Sequence, residues 1–326
     1  MMMDRNPTSL PSRRMLFSTA ARAIILSLLA TGTSLHAQEA APAQTTVPVA
    51  VGAAGAASIN LTPRRVIFDG VKRTEAIYVF NQGSKAATVD VSLIDNVMMS
   101  DGEIVPVSQL GNRGPAGAAA AAALHSAHDM ILATPSRLLL EPGKGKTIRL
   151  RAALPDGTTT PTEFRTHLTV TTLPDADTGL TAEAAATTQK GELSMRVQSV
   201  FGISIPLIVR NGDASATATL SDFALVHGPA RQGDHAGASS PVLQLSLGRS
   251  GTSSIYGNIE VRSGDGKGAE LVGFIRGISV YAELPSRQVR VNLMREPRKG
   301  ETLTVKFIDD EGRPGGPSAS GTFHAP

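Results

Sequence analysis

The chain has 326 residues, no cysteine and no tryptophan, and a formal net charge of +3 from 31 lysines and arginines against 28 aspartates and glutamates. Without cysteine there is no disulfide to staple an exported fold and no thiol to act as nucleophile or metal ligand, so stability must come from apolar cores. A charge balance this even, with no basic block, supplies no long-range field for a polyphosphate and argues against nucleic acid as a partner.

Residues 1–37 have the layout of a secretory signal peptide: Arg13 and Arg14, an apolar run from Ala20 to Ala30, then Leu35-His36-Ala37, with cleavage expected after Ala37. The apolar run is shorter than the ~20 residues a membrane-spanning helix needs, so no membrane insertion is expected. Ser12-Arg13-Arg14-Met15-Leu16-Phe17 also resembles a twin-arginine signal. Both routes lead out of the cytoplasm. The leader carries Arg5, Arg13, Arg14 and Arg22 against Asp4, so its removal leaves 27 charges of each sign. Residues 38–57, small, Pro/Gly/Ala-rich and charged only at Glu39, are expected to be a disordered leader. The remainder is long enough for two domains of about 100 to 150 residues each.

From Ser58 on, short runs of Val, Ile, Thr and Leu are punctuated by Asp-Gly, Asn-Gln-Gly, Pro-Gly and Asn-Gly. This pattern predicts an all-β fold of two immunoglobulin-like β-sandwich domains in tandem. The first set of strands falls at 64–69, 74–81, 86–95, 136–140, 146–153, 164–173 and 191–209. Val89, Val91 and Leu93 alternate with Asp90 and Ser92, as a half-buried strand requires. The Ala-rich stretch 116–130 reads as a loop insertion between strands, with a short helix as the alternative. After Asn211-Gly212-Asp213 come strands at 217–225, 242–248, 254–262, 271–282, 288–294 and 302–308, with turns at Ser263-Gly264-Asp265-Gly266 and Asp309-Asp310-Glu311-Gly312. The expected domains are 58–211 and 212–326.

Catalytic and cofactor motifs fail on inspection. Gly143-Lys144-Gly145-Lys146-Thr147 resembles the end of a phosphate-binding loop, but Leu140 stands where the motif needs glycine, and "IRLRAAL" after it alternates as a strand. A Pro-Gly hairpin turn is expected there. The glycines at 264–268 lack dinucleotide-binding spacing and a following helix. His125 and His128 have no third ligand of clear spacing, and no Gly-x-Ser-x-Gly elbow is present. Neither an enzyme nor a bound cofactor or metal is expected.

Five segments, "INLTPRRVIFDG", "YVFNQG", "ILATPSRLLLEPGKGKTIRL", "TEFRTHLTVTTLP" and "GELSMRVQSVFGISIPLIVR", occur in the order and rough spacing of the first domain of PapD-like periplasmic pilus chaperones. The resemblance covers residues 59 to about 210; the second domain matches in size and β content only. It implies a periplasmic chaperone that stabilises pilus or fimbrial subunits lacking their last strand, lending them one, and delivers them to an outer-membrane usher. The implied donor strand is 191–201. Leu193, Met195 and Val197 would fill the subunit's groove while Ser194, Arg196 and Gln198 face away, although the same alternation suits packing into the chain's own core.

The resemblance also implies that Arg65 binds the subunit's C-terminal carboxylate, a task to which a guanidinium fork is suited, with Arg64 turned to solvent. An ordinary charge at a strand end is the alternative. Glu163 and Arg210 align with an interdomain salt-bridge network. The chain departs from the family where a second cation, a lysine, is expected: Gly202 stands there in one register and Pro206 in the other. That departure favours an alternative function, a chaperone-like structural or adhesive module of the cell envelope without carboxylate binding.

Overall fold

The computed structural model describes residues 57–154, 162–174, 200–212, 215–229, 239–264, 268–312 and 315–326. The expected signal peptide and Leu193, Met195 and Val197 of the expected donor strand lie outside these residues. The described chain forms two β-sandwiches in tandem, an all-β architecture with one short α-helix.

The first part of the chain contributes β1 (Ile59–Thr62), β2 (Val66–Phe68), β3 (Thr74–Asn81), β4 (Ala87–Ile94), β5 (Asn96–Met98), β6 (Ile104–Pro106), α1 (Gly114–Ala123), β7 (Ile131–Thr134), β8 (Arg137–Leu140), β9 (Gly145–Ala152), β10 (Thr162–Thr172) and β11 (Gly202–Asn211). One sheet has the order β1-β3-β9-β7 and the facing sheet β2-β11-β10-β4-β8. Between them lies a core of Phe68, Ile77, Val79, Val89, Leu140, Ile148, Leu150, Leu168 and Leu207. Alternation builds it: in β9, Ile148, Leu150 and Ala152 point in while Arg149 and Arg151 point out. Each fully buried aliphatic contributes about 1.5 to 3 kcal/mol before ordering costs.

The second part contributes β12 (Ala216–Pro229), β13 (Ser239–Gly251), β14 (Ile255–Ser263), β15 (Glu270–Val280), β16 (Ser286–Asn292), β17 (Thr302–Asp309) and β18 (Ala319–His324). The sheets β12-β13-β16 and β15-β14-β17-β18 enclose a separate core containing Leu243, Leu245, Leu247, Ile259, Val261, Leu303, Val305 and Phe307.

Two local expectations are corrected. The Ala-rich stretch is not simply a loop. Its first part is α1, with a proline in the first turn, and Ala120 packs with Val97, Val105 and Leu110 into a small core of its own. The β5–β6 hairpin beside it reaches the second sandwich, where the Gln288 N–H donates to the Ser100 carbonyl at 2.7 Å and the Met98 N–H donates to Glu283 Oε1 at 3.1 Å. The Pro142-Gly143 turn is also no hairpin, because β8 and β9 belong to opposite sheets. It is a corner. Lys144 N–H donates to the Glu141 carbonyl at 3.1 Å, and Gly143 takes φ +67°, the geometry of a type II turn. Asn81, buried, holds the corner by donating to the Lys85 and Leu140 carbonyls at 2.7 and 3.2 Å.

Candidate functional site

The site begins with β10, whose two faces bury different chemistry. Phe164, Leu168 and Val170 join the first core, whereas Glu163, Arg165 and His167, in strict alternation with them, are buried on the opposite face against the second sandwich. Antiparallel pairing sets Glu163 opposite Arg210 at the end of β11, and parallel pairing of β2 with β11 sets Val66 beside Leu207. Arg65, one residue before that pair, is therefore close to Pro206 along the sheet.

Three of the sequence-predicted residues converge here. Arg210 Nε donates to Glu163 Oε2 at 2.9 Å, a pair made within the first sandwich. The crossing to the second sandwich is made by Ser254 and Glu311. Ser254 donates to Glu163 Oε2 through its N–H at 3.1 Å and its hydroxyl at 3.0 Å. Glu311 accepts from Arg210 Nη1 at 2.9 Å and from Arg65 Nη2 at 2.6 Å. Arg65 Nη2 also donates to the Ser254 hydroxyl at 3.1 Å, and its guanidinium lies 4.9 Å from the centre of the Tyr256 ring. Burial disfavours the charge on Arg210, but the Glu311 and Glu163 carboxylates outweigh it and hold this guanidinium above its ordinary value. Arg64, by contrast, is exposed.

One property of Arg65 distinguishes it from Arg210. Its Nε and Nη1 are buried with no acceptor among the described residues, while its Nη2 carries the bonds to Ser254 and Glu311. Both nitrogens are shut away from solvent, so this guanidinium is hydrogen-bonded on one side only among the described residues.

Arg165 makes a second crossing. It donates to the Asn96 carbonyl at 2.9 Å, is ion-paired with Glu283, and stacks 3.7 Å from the centre of the Tyr281 ring. His167 meets the same ring edge-on with centroids 6.3 Å apart. Burial and the nearby Arg165 charge push the His167 imidazole down to about 3, so it is neutral. Elsewhere, His125 lies against Phe164 while His128 bonds Asp129, and among the described residues no cluster of three metal-ligating side chains forms.

The end of β11 nearest the expected donor strand is also distinctive. Thr172 N–H donates to the Phe201 carbonyl at 2.8 Å, so the odd-numbered residues of β11 bond β10 and the amide groups of Gly202, Ser204 and Pro206 face the other way. On that side β2 runs beside only Leu207–Val209. Among the described residues, the Gly202–Pro206 edge therefore has no strand hydrogen-bonded to it. Val200 and Phe201, leading into it, are 54% and 56% exposed.

Ser254, Tyr256, Glu311, Arg165, Glu283 and Phe201 were not singled out by sequence reasoning. The alternation of charged residues in "TEFRTHL" is the one signal for Arg165; Glu311 sits in a run that reads as an ordinary turn.

No family model matches the chain, and no curated protein does. Among solved structures it is similar to the YadV chaperone, at 12% identity over 82% of this chain and 98% of that one, with a TM-score of 0.38. It is similar also to the chaperone–tip adhesion subunit pre-assembly complex CsuC–CsuE of Acinetobacter baumannii, at 14% identity over 82% of this chain and 98% of that one, with a TM-score of 0.37. The E. coli chaperone DraB matches at 14% identity over 83% of this chain and 96% of that one, with a TM-score of 0.37. At such identity and superposition these matches assign no activity to this chain.

Proposed function

We propose that this protein is a periplasmic chaperone that completes unfinished β-sandwich subunits of a pilus or surface fibre by lending them the strand 191–201, for delivery to an outer-membrane usher. The observation that supports the reading is the edge of β11 at Gly202–Pro206, to which no strand is hydrogen-bonded among the described residues and which follows exposed Val200 and Phe201. An open edge supplies main-chain hydrogen bonds to an added strand, and alternate apolar side chains supply the groove contacts. Pro206 suits an open edge because it has no N–H to leave unbonded. Leu193, Met195 and Val197, which lie outside the described residues, are the proposed groove-filling side chains, with Phe201 following them in the same alternation along the sequence.

Arg65 is the proposed anchor for the subunit's terminal carboxylate; its Nε and Nη1 have no acceptor among the described residues, and their burial requires the cleft to open for a ligand to reach them. Glu163 and Arg210, with Glu311 and Ser254, fix the second sandwich against the first. The proposed domains are 58–211 and 212–326, and export through the signal peptide of residues 1–37 supplies the compartment.

A second reading, a structural or adhesive module of the envelope, is favoured by the bond from Arg65 to Glu311, which gives that guanidinium a purely internal duty. Co-expression with an incomplete fibre subunit separates the two. The chaperone reading requires a soluble one-to-one complex that Met195→Asp abolishes; a complex that survives this change removes the donor-strand assignment.

A further inference from the structure

We infer that Arg249 is a positioning residue that joins two crossings between the sandwiches, so that they open and close as one unit. The first crossing is made by Ser254, whose N–H and hydroxyl donate to Glu163 at 3.1 and 3.0 Å. The second is made by Glu283, which is ion-paired with Arg165 and accepts the Met98 N–H at 3.1 Å. Neither Ser254 nor Glu283 stands within a strand. One lies in the link 252–254 between β13 and β14 and the other in the link 281–285 between β15 and β16, so no strand ladder fixes either.

Arg249 sits near the end of β13, in the alternation that carries Leu243, Leu245 and Leu247 into the second core. Its guanidinium reaches both links. Nη1 donates to the Gly251 and Ser253 carbonyls at 2.8 and 3.0 Å, Nη2 to the Ala282 carbonyl at 2.8 Å, and Nε to the Leu284 carbonyl at 3.2 Å. The carbonyl next to Ser254 and the carbonyls on both sides of Glu283 are thus held by one planar fork, and displacement of either link pulls on the other. Burial holds this guanidinium below its ordinary value, although Glu163 from the first sandwich and Glu283 from the second both favour its charge. The joint belongs to the protein alone, whatever it binds. If Arg65 is the anchor, the same unit governs it: Ser254 also accepts from Arg65 Nη2 at 3.1 Å, so an opening of the cleft at Arg65 engages both crossings.

Two amides report on the crossings directly. Ser254 N–H bonds across the interface to Glu163, and Met98 N–H bonds across it to Glu283. Their hydrogen exchange is measured by NMR on the free protein, at increasing sub-denaturing urea, in wild type and in Arg249→Lys. The lysine keeps a charge near Glu163 and Glu283, but one ammonium cannot span four carbonyls on two links. In wild type the two amides are expected to share one opening, with protection equal within about threefold and the same response to urea. In Arg249→Lys they are expected to separate by about tenfold or more, while the core amides of Leu245 and Val261 keep their protection. Unequal openings in wild type overturn the inference without any variant. So does an Arg249→Lys protein whose core amides hold while the two reporters still open together.

Discussion

Arg210, at the end of the last strand of the first sandwich, and Glu311, in a turn of the second, meet at 2.9 Å with both side chains more than nine-tenths buried. Their charges are the joint between two cores that share no hydrophobic cluster. Arg210→Ala leaves Glu163 and Glu311 buried with one guanidinium fewer, and breaking a buried pair from one side costs about 3 to 5 kcal/mol. Urea unfolding at neutral pH measures it. A loss below about 0.5 kcal/mol means that packing alone holds the sandwiches in place.

His167 makes acid stability a readout of the same interface. Its imidazole is pushed from near 6.5 down to about 3, by burial first and by Arg165 second. The unfolded chain takes up this proton near pH 6.5 and the folded chain only near pH 3, so stability falls as pH drops through that window. The contribution is on the order of a few kcal/mol. His167→Gln is expected to flatten the fall in melting temperature between pH 6.5 and pH 3. An acid limb of unchanged steepness contradicts the assignment of a buried neutral imidazole.

Phe201 separates folding from binding. At 56% exposed it contributes little to the fold, so Phe201→Thr, which keeps a strand-forming residue, is expected to change stability by less than about 0.5 kcal/mol. If the residue lies at the base of a lent strand, the same change weakens the complex with an incomplete subunit by about tenfold or more, since a buried aromatic side chain is lost from the groove. Equal affinity in a pull-down titration places Phe201 outside the interface.

What the amino-acid sequence reveals follows from which physical signals are local. Thr74–Asn81 is fixed by its own alternation and matches the expected strand residue for residue, because Ile77 and Val79 have only one way to reach a core. The edge strands at Ile59–Thr62, Ile131–Thr134 and Ala319–His324 are short and pair on one side only, so too few alternating residues mark them. The helix at Gly114–Ala123 escapes a periodicity argument since alanine carries no contrast between faces. Arg65 was legible as a doubled charge at a strand start, yet its partner Glu311 was not. That bond joins residues far apart in the chain, and only the closing of both sandwiches brings a turn acid onto it.

The proposed function requires that the edge of β11 and residues 191–201 before it be offered to another protein. Hydrogen–deuterium exchange of residues 191–206, with and without an incomplete β-sandwich fibre subunit, tests this most directly. Strong protection of the Gly202 and Ser204 amides and of the residues before them on adding the subunit is the predicted result. Exchange at these amides that the subunit leaves unchanged, while it binds elsewhere or not at all, contradicts the account.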